Sequence, residues 1–160
     1  MYKYQDTTAT TFSMELQVDQ YPQGIVIYGS SDNSSDIYSN NAYNFSINLP
    51  ERLKFHGDWV AAITEFEGVI PNNSRFIDIH INIIGESIVG DFKRTIARRI
   101  FKSASSNRRI AHQAFAVEYY TPLKLLEFET IKVEIVNQLG YQPNIVKEAT
   151  NIVIHIKPNI

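Results

Sequence analysis

Seven of the fifteen lysines and arginines in this 160-residue chain fall between positions 93 and 109, with no acid among them: Lys93, Arg94, Arg98, Arg99, Lys102, Arg108 and Arg109. The rest of the chain carries eight basic and seventeen acidic side chains, so the net charge of −2 conceals a strong asymmetry. Clustered ammonium and guanidinium groups hold phosphates without reading sequence, and the hold weakens as salt rises. The same cluster suits an acidic surface on a neighbouring subunit. We take the seven residues as a candidate basic contact patch for either partner, and a plain solvated face has the same composition. Phe92 and Phe101 belong to an apolar stripe and do not interleave with the cations. Base stacking on single strands is therefore not indicated.

Other reactive side chains are scattered. His56, His80, His112 and His155 show neither H-x-H nor H-E-x-x-H spacing. His80 and His155 fall on the polar faces of alternating runs, where two histidines could meet across a sheet and hold a metal. Solvated or hydrogen-bonded histidines are the commoner outcome. Glu65 and Glu67 are two apart on one strand face, whereas glycoside hydrolysis needs two acids across a cleft. A Ser-His-Asp set is defined by geometry and not by order, but the strand–turn–helix G-x-S-x-G elbow is missing. No P-loop or G-x-G-x-x-G occurs. Cysteine is absent, which removes disulfides, thiolate metal sites and a cysteine nucleophile. The expectation is a non-enzyme with no catalytic residue, metal or cofactor.

Short alternating segments must position these groups. Phe12, Met14, Leu16 and Val18 alternate with polar residues, as do Phe45, Ile47 and Leu49, and Ile77, Ile79, Ile81 and Ile83. That period of two marks strands with one buried face. In the isoleucine run Asp78, His80 and Asn82 take the opposite, wet face. Further strands are read at 24–31, 58–68, 114–120, 129–137 and 150–158. Pro50 is read as a strand end, because it has no N–H for the ladder. Residues 1–11 read as a flexible N-terminal arm and 12–160 as one domain. At 91–104 the period changes. Phe92, Ile96, Ala97, Ile100, Phe101 and Ala104 follow helical spacing behind Asp91 as N-cap, so a short helix is predicted there. About eight strands with one apolar face each indicate an all-β sandwich.

The only tryptophan, Trp59, follows Gly57-Asp58 between two strand-like runs. We read Trp59, with Phe45 and Leu49, as a core corner of the sandwich. The indole N–H would need a partner there.

The segments "IVIYGSSDNSSDIYSNNAYNFSINLPERLKFHGDWVAAITEFEGVIPNN" and "FETIKVEIVNQLG…NIVIHIKP" carry a family likeness. A Ser/Asn-rich stretch follows the first strand. Asn44 stands just before F-x-I-x-L-P, then comes a G-x-W corner, an apolar strand holding Glu65, and a Pro-Asn turn. This order resembles the single jelly-roll penton (minor capsid) proteins of Polinton/Maverick-type viruses and their virophage relatives. The resemblance implies a jelly roll of two antiparallel four-stranded sheets. It also implies a structural role in the virion, with homo-pentamers at icosahedral vertices touching the major capsid protein. The basic run would then face that neighbour or the packaged genome. No apolar stretch is long enough to span a membrane and no signal-peptide core is seen, so the expected location is the virion, assembled inside the host cell. The alternative is a glycan- or receptor-binding sandwich that uses Tyr38, Asn40, Asn41 and Tyr43.

Overall fold

The computed structural model describes residues 15–17, 23–32, 41–102, 110–144 and 146–160. Twelve strands run through them. They are β1 (Glu15–Gln17), β2 (Ile25–Ser30), β3 (Asn44–Lys54), β4 (Trp59–Val69), β5 (Phe76–Ile81) and β6 (Ser87–Val89), then β7 (Phe92–Arg94), β8 (Ile96–Phe101), β9 (Ile110–Ala114), β10 (Thr121–Pro122), β11 (Glu127–Asn137) and β12 (Asn151–Pro158). The expected arm at 1–11 lies outside the described residues, as does most of the loop after β2.

One antiparallel sheet has the order β3-β11-β5-β8, and β1 adds to β3 in parallel. The other runs β2-β12-β4, with β9 and β10 sharing the far side of β4. β9 pairs with residues 65–69 of β4 and β10 with 60–61, so two short strands fill the place of one. The chain crosses between sheets at nearly every long connection. Eight strand positions in two facing sheets with this order make a jelly roll, and the expected fold class is borne out.

Alternation decides which side faces the interior. Ile77, Ile79, Ile81 and Ile83 are fully buried, as are Ile131, Val133 and Ile135 of β11. Ile152, Ile154, Ile156, Ile63 and Phe66 meet them from the opposite sheet in one continuous core. The β2–β3 end is closed by polar links between the sheets. Tyr43 donates its hydroxyl to the Val69 carbonyl at 3.0 Å, and Thr150 donates its hydroxyl to the Ala42 carbonyl at 2.5 Å.

Four expectations are corrected. The expected helix at 91–104 is absent from its described part, 91–102: Phe92–Arg94 is the second strand of the β6–β7 hairpin and Ile96–Phe101 is β8, and 103 and 104 lie outside the described residues. Ala97 is skipped where β8 pairs with β5, since Ile96 faces His80 and Arg98 faces Ile79. That one-residue bulge shifts the apolar pattern off the period of two and gives it a helical look. Asp91 is no N-cap but the second residue of a tight turn. Gly90, with φ of +59°, is the first, the arrangement a two-residue hairpin turn with leading Gly requires.

Pro50 does not end β3. The pairing with β11 jumps from Leu53↔Phe128 to Asn48↔Thr130, so Pro50 sits in a bulge where no N–H is demanded. The strand expected at 114–120 stops at Ala114, and 115–120 runs on outside any strand until Thr121. The outer face of β5 is not wet, because Asp78 and His80 are both buried.

Candidate functional site

The Trp59 corner is built by the turn before it. Gly57 takes a φ of +85°, a conformation open to glycine. This places the His56 carbonyl 2.8 Å from the Trp59 indole nitrogen, which donates to it. The ring meets Phe55 edge-on at 5.0 Å between centroids, and Phe55 stacks on Phe128 at 5.5 Å. Trp59 is buried, with a shallow cavity of about 350 Å³ beside it, lined by Gly57, Asp58, Pro122, Leu123, Leu126 and Asn159. Phe45 is also buried and Leu49 packs half-buried against the same core. Phe45, however, pairs with Val133 at the other end of β3, far along the strand from Leu53 and Phe128. The corner is thus Phe55, Trp59 and Phe128, and Phe45 belongs to the opposite end.

The basic run is divided among several surroundings. Arg108 and Arg109 lie outside the described residues. Lys93 and Arg94 are exposed on the hairpin, with Arg94 over the Phe92 ring at 5.4 Å. Arg98 turns into the gap between β8 and the 115–120 segment. Its guanidinium lies between the Phe115 and Tyr119 rings, at 3.9 and 4.2 Å, and donates to the Val117 carbonyl at 2.6 Å. Arg99 makes a two-pronged ion pair with Asp78, 2.7 and 2.9 Å, and covers the Phe76 ring. Lys102 donates to Asn72 Oδ1 at 2.6 Å. Of the five described cations, three are held by their own chain, and Lys93 and Arg94 are the two facing outward. The hydrogen bond and charge of Asp78 raise the Arg99 pKa, the hydrogen bond contributing most.

His80 sits mid-strand on the outer face of the β3-β11-β5-β8 sheet, beside a cavity of about 240 Å³ lined by Asn44, Asn82, Thr95, Lys132 and Glu134. Burial holds its pKa below the ordinary value of 6.5, against the opposing pull of Asp78 and Glu134. Its Nε2 is buried with no protein partner. The desolvated ring is therefore neutral near pH 7, and it is far from the other histidines along the chain.

The outer face of the second sheet carries the remaining polar chemistry. Glu65, on β4, meets His112 Nε2 on β9 at 2.7 Å, with both side chains largely in solvent. Asn151 donates to Glu67 at 3.1 Å. Glu65 and Glu67 thus have separate partners and do not face each other across a cleft. His155 on β12 joins Tyr120 and Glu118, an acid–phenol–imidazole chain, but its Nε2 meets the Gln23 carbonyl at 2.9 Å. A backbone carbonyl stands where a triad would place its nucleophile. Among the described residues no group of three His, Cys, Asp or Glu side chains is arranged to hold a metal.

Sequence reading missed the Arg98 gap, the Asp78–Arg99 pair and the Tyr120–His155 link, because each joins residues 19 to 35 apart through sheet pairing. The hairpin was findable: Val89-Gly90-Asp91-Phe92 has the Gly-Asp signature between two apolar residues. Tyr43, expected in a glycan-holding loop, is fully buried and spends its hydroxyl on Val69. Tyr38 and Asn40 lie outside the described residues. No helix among the described residues is long and apolar enough to cross a membrane. No protein-family model matches the chain, and the search of curated proteins returns no match.

Proposed function

We propose that this chain is a structural capsid subunit of penton type, forming homo-pentamers at icosahedral vertices and contacting a major capsid protein. The observation that carries the reading is the strand order β3-β11-β5-β8 against β2-β12-β4 with β9 and β10. This jelly-roll order is one that capsid and lectin domains share. The family resemblance of residues 25–67 and 129–157 favours the capsid branch. Fold alone does not select a function, so the site chemistry has to agree. It does so in one respect: Glu65, Glu67, His112, His155, Arg98 and Arg99 are engaged in holding strands and loops together.

A five-fold ring needs a heterologous interface, one surface of each copy meeting a different surface of the next. Contact with genome or with an acidic neighbour then falls to Lys93 and Arg94, and to Arg108 and Arg109. Native mass spectrometry of the purified chain, alone and with the shell protein, tests the reading. The expected species is about five times the 18.3 kDa chain mass, or a stoichiometric complex with the shell protein that weakens in high salt. A chain that stays monomeric with shell protein present, and that binds glycans on an array, would move the assignment to the receptor-binding alternative.

A further inference from the structure

The outer face of the β3-β11-β5-β8 sheet gathers donors and acceptors around one buried group that lacks a partner. Strand pairing sets Asn44, Glu134 and His80 in one row, since Glu134 is opposite Asn44 on β3 and opposite His80 on β5. Two residues earlier on β11, Lys132 is tied to Asn82. The Lys132 N–H donates to Asn82 Oδ1 at 2.9 Å, and the Asn82 N–H donates to the Lys132 carbonyl at 3.2 Å. Thr95, at the foot of the β6–β7 hairpin, is held by its carbonyl to the Ile81 N–H at 3.2 Å. These residues line the cavity of about 240 Å³ beside His80. The His80 side chain belongs to a residue only 7% exposed, and its Nε2 is buried without a protein partner. A polar atom left so in a polar cavity is costly unless something meets it there.

The neighbouring groups select what that is. Asn82 has given its side-chain oxygen to Lys132, so its amide nitrogen is left to donate. The Lys132 ammonium only donates and the Glu134 carboxylate only accepts. Both residues are exposed, and neither forms an ion pair among the described residues. The His80 ring nitrogen donates or accepts according to its tautomer. An anion in the cavity would meet the Glu134 carboxylate. A cation would meet Lys132 and the charge of Arg94, which is felt at His80. An apolar ligand would leave every one of these groups unpaired. A neutral hydroxyl satisfies them all, because one oxygen both donates and accepts.

We propose that this cavity is a carbohydrate site, in which neighbouring hydroxyls of one sugar ring donate to Glu134, accept from Asn82 and Lys132, and meet His80 Nε2. Its volume is below that of a pocket for a drug-sized ligand, so it holds a single ring while the rest of a glycan runs out over the sheet. The site lies apart from the loop residues Tyr38 and Asn40, and it does not use Tyr43, whose hydroxyl is spent on Val69. It does not rest on the capsid reading.

The test is saturation-transfer NMR on the full chain near pH 7, with methyl glycosides of glucose, galactose, mannose, fucose and N-acetylglucosamine as probes. Reading the sugar protons makes the measurement independent of oligomeric state. At least one glycoside should bind saturably with a Kd of about 1–10 mM, the range for a dozen or so heavy atoms at modest efficiency. The same glycoside should shift the His80 ring nitrogen signals. Glu134→Ala and Lys132→Ala alter exposed side chains and leave the core intact, and each should weaken binding about threefold to tenfold, the worth of one hydrogen bond to a charged group. Glu67→Ala, on the facing sheet, should leave it unchanged. Saturable binding by none of the five would mean that water alone meets Nε2 and would overturn the proposal. So would binding that survives both β11 variants, or acetate or methylammonium competing as well as another sugar does, since the cavity would then select charge.

Discussion

Replacing Trp59 by alanine probes the corner that turns the chain from one sheet into the other. A buried Trp removes roughly 150–250 Å² from water, and at about 25 cal/mol per Å² that is about 4–6 kcal/mol. Alanine keeps part of this, and the unfolded chain buries some of it already. The ring also leaves a hole, but this one lies against a cavity of about 350 Å³ that opens outward, so water can enter and meet the freed His56 carbonyl. Cavity strain is therefore relieved more than in a sealed core, and the expected loss is about 3–4 kcal/mol. Trp59→Phe retains an aromatic against Phe55 but has no N–H for His56, and should lose about 1–2 kcal/mol. Urea unfolding followed by circular dichroism is the assay, because the substitution removes the chain's only tryptophan. With an m-value of about 1–3 kcal/mol/M the alanine midpoint should fall by roughly 1 M or more. A loss under about 1 kcal/mol for Trp59→Ala, or equal losses for Ala and Phe, would refute the packing argument.

Two further outcomes follow from the polar face of β5. Asp78→Ala strands the Arg99 guanidinium, but Arg99 is 35% exposed against 6% for Asp78, so it partly rehydrates. The expected loss is about 1–2 kcal/mol rather than the 3–5 of a sealed pair. A double-mutant cycle with Arg99→Ala should recover part of it, and a coupling near zero would show the pair to be idle. His80 has a folded pKa below its ordinary 6.5, so below that value the unfolded chain binds the extra proton more readily. Stability is therefore complete above about pH 6.5 and falls as pH drops through that window. His80→Gln should flatten the slope relative to wild type, measured as unfolding free energy from pH 5 to 7.5. Identical slopes would assign the pH dependence elsewhere.

Much of the sandwich was legible because its signal is local. The isoleucines 77, 79, 81 and 83 alternate without interruption, and one face must be dry for that spacing to persist. Residues 91–101 were misread where that rule breaks. A one-residue bulge at Ala97 moves the next apolar residue, Ile100, out of phase, and the result mimics a helical stripe. Pro50 misled for a related reason, since a bulge removes the demand for an N–H that ends an ordinary strand. Burial of Asp78 and His80 was hidden because it depends on Arg99, 21 residues further on, and on the β3 and β11 neighbours that only the sheet order supplies. The contacts of Tyr120 and Arg98 were out of reach in the same way: the aromatic residues of the 115–120 segment carry no label for the strands they close on.

The sheet edges explain the charge asymmetry better than a ligand does. β8 ends its sheet among the described residues, and an unpaired edge invites another chain unless it is blunted by charge or bulge. β8 has both, with Arg98, Arg99 and the skipped Ala97 in six residues. The opposite treatment is found at β2, the edge of the facing sheet. Its sequence, Ile25–Ser30, has no charge, and Val26 and Tyr28 are 50% and 77% exposed. One guarded edge and one bare edge make the two ends of the molecule unlike. A subunit that assembles head to tail gains from that difference, because guarded edges do not pair with each other and a bare edge is left to meet a different surface of the next copy. Arg98→Ser with Arg99→Ser should remove the guard while leaving β2 unchanged, and the measurable consequence is concentration-dependent association through β8 that wild type does not show. If the double variant stays as dispersed as wild type, the arginines are not guards, and their clustering has to be explained by what they bind.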